Sequence, residues 1–383
     1  MAFALILLAG AGLLIRTFAA LTAIAPGFRP DHVLTVRLSL PQWKYSGDHR
    51  RAVLEELLER MRTGPGVDSA GLATSLPYGG YYVGGLPEIM GKPSTESNTD
   101  SEAAMAAVNF ISGDYFRAIG IPVLAGRAVD SSDRAGKPAV AVVNETFARR
   151  FLPGQPAIGT RFRVGGVTNW MEIVGVAGSV KQNGLASQPS PEVWQPAAQN
   201  ETGSSAQTLA IHSDSPPGVL TPWVRAQIAA VDKDLPPPEI ETMRERMAKL
   251  VASQRFVLRL LALFAGIAVC LAAVGIYSVL VYSVERRAHE IGIRVALGAR
   301  RGDILGLVVG RGLRLSLAGA ALGVAGALGL TRYLETLLYG VKPHDPVTLA
   351  LGSTLLIVTA LVAAWLPARR AVGQDAVSTL RGE

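Results

Sequence analysis

Residues 260–284, LLALFAGIAVCLAAVGIYSVLVYSV, followed at once by residues 285–299, ERRAHEIGIRVALGA, decide how this chain folds. The first run holds 25 residues without a charge. At about 1.5 Å per residue it reaches about 37 Å, enough to cross a hydrocarbon core of about 30 Å with tilt. The second run is dense in arginine and amphipathic. Together they read as a membrane span and its first loop.

Three more stretches extend that reading. Residues 347–366 are uncharged and long enough to span. Residues 304–330 form a less tidy span, in which Arg311 and Arg314 can snorkel to the interface. Residues 1–15 are apolar but short, and become a span only if the helix runs past Arg16 to about Ala25, where Pro26-Gly27 stops it. A signal peptide needs a basic stretch before its apolar core. Here Met1 leads directly into Ala-Phe-Ala-Leu-Ile, so we expect a first transmembrane helix, truncated at its start, rather than a leader.

Composition agrees. The chain has 383 residues, 49% hydrophobic and 17% charged, with mean hydropathy +0.30. Soluble domains carry about 25% charge. The net charge is +7, yet residues 25–255 hold 23 basic and 23 acidic residues. The excess therefore flanks the apolar runs, as membrane topology requires, and supplies no basic stripe for nucleic acid. One cysteine, Cys270, excludes a disulfide framework and is expected to be a small packing residue.

Orientation follows from the arginines. The loop 285–303 carries Arg286, Arg287, Arg294, Arg300 and Arg301, and the tail carries Arg369, Arg370 and Arg381. The connection 331–346 has only Arg332 and Lys342. The loop at 285 and the C-terminus are thus expected in the cytoplasm, and the large middle segment outside it. Gly319 and Gly323 form a GxxxG pair suited to close helix packing in lipid.

The middle segment alternates strand and helix patterns. Residues 33–40 (VLTVRLSL) alternate like a half-buried strand, and 49–62 place Val53, Leu54, Leu57, Leu58 and Met61 on one helical face. Residues 67–75, 139–143 and 208–212 read as strands, 162–167 with 171–180 as a hairpin-like pair, and 217–231 as a helix. Asn144 is placed to cap a helix at 145–151. Residues 243–255 are amphipathic and are expected to run into the second span as a stalk. The Gly-, Ser- and Pro-rich stretches 78–100 and 182–205 read as loops.

Catalytic motifs are missing from the sequence. The nearest approach to a phosphate loop, GLPEIMGKP at 85–93, has five residues between its glycines and Pro93 where Ser or Thr must hold magnesium. His289-Glu290 begins like a zinc-protease motif, but Ile293 stands where the second histidine belongs. The histidines His32, His49, His212, His289 and His344 are scattered. We expect no catalytic, cofactor or metal site, and no enzyme.

The segment after the long span carries the most information. Glu290 and Arg294 stand i,i+4 in the order that favours a helix, and Ile291, Val295 and Gly298 share a face. Such a helix can lie in a groove on a partner. ERRAHEIGIRVALGA resembles the signature of the macrolide-exporter type (MacB/FtsX-like) permeases of ABC transporters. Pro367-Ala368-Arg369-Arg370-Ala371, Asp375 and Leu380-Arg381-Gly382-Glu383 resemble that family's closing motif, with Ala376 where it often has proline. Residues 143–151 (VNETFARRF) and 173–176 (IVGV) resemble its extracytoplasmic core, and Gly10–Arg16 with Pro26-Gly27-Phe28 the start of the second half of its duplicated orphan permeases.

The resemblance implies an α-helical membrane protein with four transmembrane helices plus an extracytoplasmic α/β, porter-like domain split by a strand-rich insertion. Residues 1–25 would be the first helix and stalk, 26–255 the MacB-like core domain, and 256–383 the FtsX-like permease domain, with spans at about 260–284, 304–330 and 347–366. The coupling helix would be 285–299, with Glu285, Arg286, Arg287, Glu290, Ile291, Gly292, Arg294, Leu297 and Gly298 docking on a separate cytoplasmic ABC ATPase that binds the ATP. Further implied partners are a second permease unit (a second copy or a sister half), the lipid bilayer and a periplasmic adaptor. The expected place is the bacterial cytoplasmic (inner) membrane, and the function export or extrusion driven by the partner's ATP hydrolysis. A signalling or scaffold role, regulating an extracytoplasmic cell-wall enzyme, shares this topology and is the alternative.

Overall fold

Periodicity turns into two separate units in the structure, a computed structural model that describes residues 1–41, 43–79, 83–92, 105–165, 169–182, 184, 186–199, 206–286, 293, 301–331 and 345–372. A β-rich unit spans Ile24–Val251, and a helical unit comprises Met1–Ala23 with Ala252–Glu383.

The β-rich unit is built on a sheet of twelve strands among the described residues. Its first half follows a split βαβ plan. Strand β1 (Val33–Ser39), helix α2 (Gly47–Arg62) and strand β2 (Val67–Ala73) form one βαβ arm. Strand β11 (Ala206–Ser213), helix α5 (Pro217–Val231) and strand β12 (Glu239–Thr242) form the other. The arms interleave as β12-β1-β11-β2, every neighbouring pair antiparallel. Helices α2 and α5 cover one face, burying Leu57, Met61, Leu220 and Val224 against Val36, Leu209 and Ile211. This is the ferredoxin-like way of covering one sheet face with two helices.

The chain between β2 and β11 is the insertion. It contributes β3 (Val83–Gly85), β4 (Pro87–Ile89), β5 (Ala106–Gly113), α3 (Tyr115–Ile119), β6 (Val123–Gly126), β7 (Val140–Asn144), α4 (Glu145–Phe151), β8 (Arg161–Val164), β9 (Met171–Ala177) and β10 (Glu192–Pro196). Strand β5 extends the first half at β2, and the order continues β5-β10-β7-β9-β8-β4. Two pairs here are parallel, β10 with β5 and β7 with β9. The expected hairpin-like pair is β8 and β9, antiparallel through Phe162 and Met171. Asn144 caps α4 by accepting from the Phe147 amide at 2.7 Å. A core between the halves gathers Trp194, Tyr115, Phe116 and Ile119, with the Trp194 and Phe116 rings 5.2 Å apart edge to face. Gly71 is required there, since a Cβ would fall on the Tyr115 backbone.

Two expectations need correction in this unit. The stretches read as loops contain β3 and β4 in one case and β10 in the other. The amphipathic stalk is not continuous. Helix α6 (Met243–Leu250) starts at a capping box between Thr242 and Glu245 and ends at Val251, and α7 (Ala252–Glu285) begins anew.

The helical unit holds α1 (Ala2–Thr22), α7, α8 (Arg301–Thr331) and α9 (Pro346–Val372). Among the described residues, three helical segments are long and apolar enough to cross a membrane: Ala2–Thr22, Gln254–Glu285 and Pro346–Ala363. Helix α8 has the length but a shorter apolar stretch, Ser316–Gly329. Cys270 is exposed, not packed. It sits on α7, whose most apolar window is only 6% buried within the chain, as suits a helix meant for apolar solvent.

Candidate functional site

The candidate coupling segment begins where α7 stops. Glu285 is the last helical residue, and the Arg286 amide still donates to the Tyr282 carbonyl at 3.1 Å. The Arg286 guanidinium lies 5.5 Å from the Tyr282 ring centre, a cation–π distance. Tyr282, Glu285 and Arg286 are all exposed, so the end of α7 presents an aromatic and one charge of each sign to its surroundings. Ile293 is helical and 44% exposed, an apolar side chain left uncovered inside the amphipathic run. Arg287, Glu290, Ile291, Gly292, Arg294, Leu297 and Gly298 lie outside the described residues, as does the closing motif beyond Val372.

The helices behind this segment pack through small residues. A Cβ on Gly319 would meet Met1 at 2.6 Å, one on Gly323 would meet Leu5 at 2.7 Å, and one on Gly326 would meet Ile6 at 2.8 Å. Gly319, Gly323 and Gly326 of α8 thus form one flat face against α1, where the helix backbones approach closely. From the other side, a Cβ on Gly12 of α1 would meet the Thr348 methyl of α9 at 2.5 Å. Leu5 is fully buried, in a cluster with Ala4, Ala320 and Leu356. Helix α1 therefore packs against α7, α8 and α9. Its glycine contacts hold it to α8 and α9.

An ion pair fixes one end of that bundle. Arg16 of α1 pairs with Asp345, just before α9. Asp345 also accepts from the Thr348 amide at 3.0 Å and from its hydroxyl, capping α9. The Thr348 hydroxyl first, then Arg16 and the Thr348 amide, hold the Asp345 carboxyl down at about 2. Sequence reasoning singled out the glycine pair but not this Arg–Asp link, because its members stand 329 residues apart.

The β-rich unit carries a second polar feature that motif reading missed. Glu192 is fully buried on β10. The Gln182 amide nitrogen lies 2.8 and 2.7 Å from its two oxygens. The Glu192 backbone amide donates to Asn144 Oδ1 at 3.1 Å, and Asn109 on β5 bonds the Ser75 backbone through both ends of its amide. Burial pushes the Glu192 carboxyl up to about 7, and the Gln182 bond opposes that rise. Among the described residues no group of three His, Cys, Asp or Glu side chains could hold a metal ion.

Two family models divide the chain between them. The MacB-like periplasmic core domain matches residues 24–231 and the FtsX-like permease C-terminal matches residues 262–376. The chain belongs to the MacB/FtsX-like permease family. Among its relatives is the macrolide export ATP-binding/permease protein MacB of Escherichia coli strain K12, 27% identical over 292 residues, which cover 73% of this chain and 44% of that protein. MacB 2 of Aeromonas hydrophila is 27% identical over 322 residues, 79% of this chain and 47% of that protein. The chain thus spans less than half the length of these relatives. Among solved structures, the periplasmic region of MacB from Actinobacillus actinomycetemcomitans aligns with TM-score 0.41 and 11% identity, over 60% of this chain and 97% of that one. For a MacB/FtsX-like permease, residues 24–231 are the family's periplasmic core, which falls within the β-rich unit, and the segment 285–299 falls within the permease model.

Proposed function

We propose that this chain is a non-catalytic permease subunit of an ABC transporter in the bacterial cytoplasmic membrane, crossing it four times. It would bind no cofactor itself. A separate cytoplasmic ATPase would bind and hydrolyse ATP, and the segment 285–299 would dock on it. Arg286, Arg287 and Arg294 would pair with its acidic groups, Ile291 and Leu297 would fill an apolar groove, and Gly292 and Gly298 would allow close approach. Movement of that segment would pass through the helices to the outer domain, whose change of shape would drive export or extrusion of a substrate.

The observation that carries this reading is the position of the arginine-rich amphipathic run directly after the longest apolar helix, inside the stretch that matches the FtsX-like permease. The relatives' name joins ATP binding with a permease in one protein, and the chain described here matches less than half of that length. The glycine-lined seats of α1 on α8 and α9 support transmission, since a close-packed bundle moves as a body rather than deforming locally.

The test is co-purification with a candidate ABC ATPase, followed by ATP turnover. The double variant Arg294→Glu, Gly298→Trp is expected to lose capture of the ATPase or its stimulation while still inserting into the membrane. Full stimulation by that variant would remove the segment from the mechanism.

A further inference from the structure

Within the β-rich unit a depression of about 490 Å³ is lined by Ala25, Phe28, Arg29, Phe116, Arg117 and Ile121, among others. Its floor is apolar, with Phe28 and Phe116 at 6% and 5% exposure and Ile121 at 3%. Its walls are pinned by backbone bonds. The Arg29 amide donates to the Ile119 carbonyl at 2.9 Å, and the Lys181 amide to the Pro26 carbonyl at 3.1 Å. Gly27, at φ +91°, lets the chain pass directly against the Ser179 carbonyl. The site is therefore formed before any ligand arrives.

The charges around it are unequal. Arg117 is held by Asp68 at 2.7 Å, and Asp31 is held by Arg244. Arg29 is exposed and forms no ion pair among the described residues. Its carbon stem lies over Gly120, the left-handed residue that ends α3. One unpaired guanidinium thus stands at the rim of an apolar depression, a combination that matches an amphiphile with an anionic head. Ala25 follows Thr22, the end of an apolar helix long enough to span, by three residues, at most about 11 Å of chain. That reach keeps Ala25 beside the interfacial layer, which adds about 5–7 Å on each side of the hydrocarbon core.

We propose that an anionic phospholipid binds at this depression, with its phosphate on Arg29 at the rim and its apolar part against the floor of Phe28, Phe116 and Ile121. The proposal rests on the reading of residues 2–22 as a span whose far end faces away from the cytoplasm. A lipid held there would tie the outer domain to the bilayer.

The test uses the full chain, purified in detergent and mixed with equal phosphatidylglycerol and phosphatidylcholine, with retained lipid counted by native mass spectrometry. The wild type is expected to retain the anionic lipid with a preference about fivefold above that of Arg29→Gln, the worth of one basic side chain at a lipid surface. Arg29→Lys should keep much of the preference. Equal preference in the wild type and Arg29→Gln overturns the site. So does removal of the bound lipid by millimolar inorganic phosphate alone, which would make the ligand a free anion. In a Cys270→Ser background, Ala23→Cys, just past the end of α1, should react with a membrane-impermeant maleimide before the cytoplasmic membrane is opened. Labelling only after opening would overturn the reading of residues 2–22 instead, which separates the two failures.

Discussion

At Glu192 the β-rich unit encloses an ionisable group in the middle of its sheet, where β10 joins β5 to β7. Burial raises this carboxyl from 4.5 to about 7. The folded state thus keeps a proton that the unfolded chain releases near pH 4.5, so stability must fall as pH rises between those two values and level off above the upper one. The loss is on the order of 3 kcal/mol. Thermal unfolding of the full chain at pH 5 and pH 8 should show it, and Glu192→Gln should flatten that slope. A slope unchanged in the variant would assign the pH dependence elsewhere. Gly71 makes a sterically simpler prediction. Alanine there would place its methyl on the Tyr115 backbone, so Gly71→Ala should destabilise by about 1–3 kcal/mol, read as a lower unfolding temperature.

Among the elements, α1 and α8 offer the most direct test of packing. Gly323→Leu would drive a side chain into Leu5, and the variant should be less heat-stable in detergent by about 1–3 kcal/mol. Leu5→Ala also costs stability alone, because Leu5 is fully buried, yet it should restore part of the loss when combined with Gly323→Leu. Additive losses in the double variant would mean the two residues do not meet. The GxxxG spacing was visible in the sequence; its partner helix was not, since a spacing names one face and not what covers it. The same limit runs through the sheet. Strand β1 was legible because apolar residues alternate along it, helices α2 and α5 because one face is apolar and the other wet, and α4 because Asn144 caps its start. Strand β10 was not, because all five of its residues are buried and one is a glutamate, so neither alternation nor composition marks it. The break at Val251 was hidden for the opposite reason: amphipathic periodicity continues across it, and the end of α6 is marked only by the backbone of Val251 (φ −97°, ψ 5°), whose amide donates to the Lys249 carbonyl. Of the candidate coupling residues, the sequence named all and the structure places Glu285 and Arg286.

For the molecule as a whole, the proposed mechanism demands that the β-rich unit and the end of α7 face opposite sides of a bilayer. The charge distribution is the physical reason to expect it: arginines crowd the 285–303 loop and the tail, while residues 25–255 are electrically balanced. Two exposed positions make the test sharp. Trp43 is 86% exposed on the loop between β1 and α2, and Ile293 is 44% exposed in the proposed coupling segment. In a Cys270→Ser background, a cysteine replacing Trp43 should react with a membrane-impermeant maleimide added to cells with a permeabilised outer barrier. A cysteine replacing Ile293 should react only after the cytoplasmic membrane is opened. Labelling of both before opening, or of Ile293→Cys alone, would put the arginine-rich segment on the wrong side. It could then touch no cytoplasmic ATPase, and the transmission route through α1, α8 and α9 would have no input.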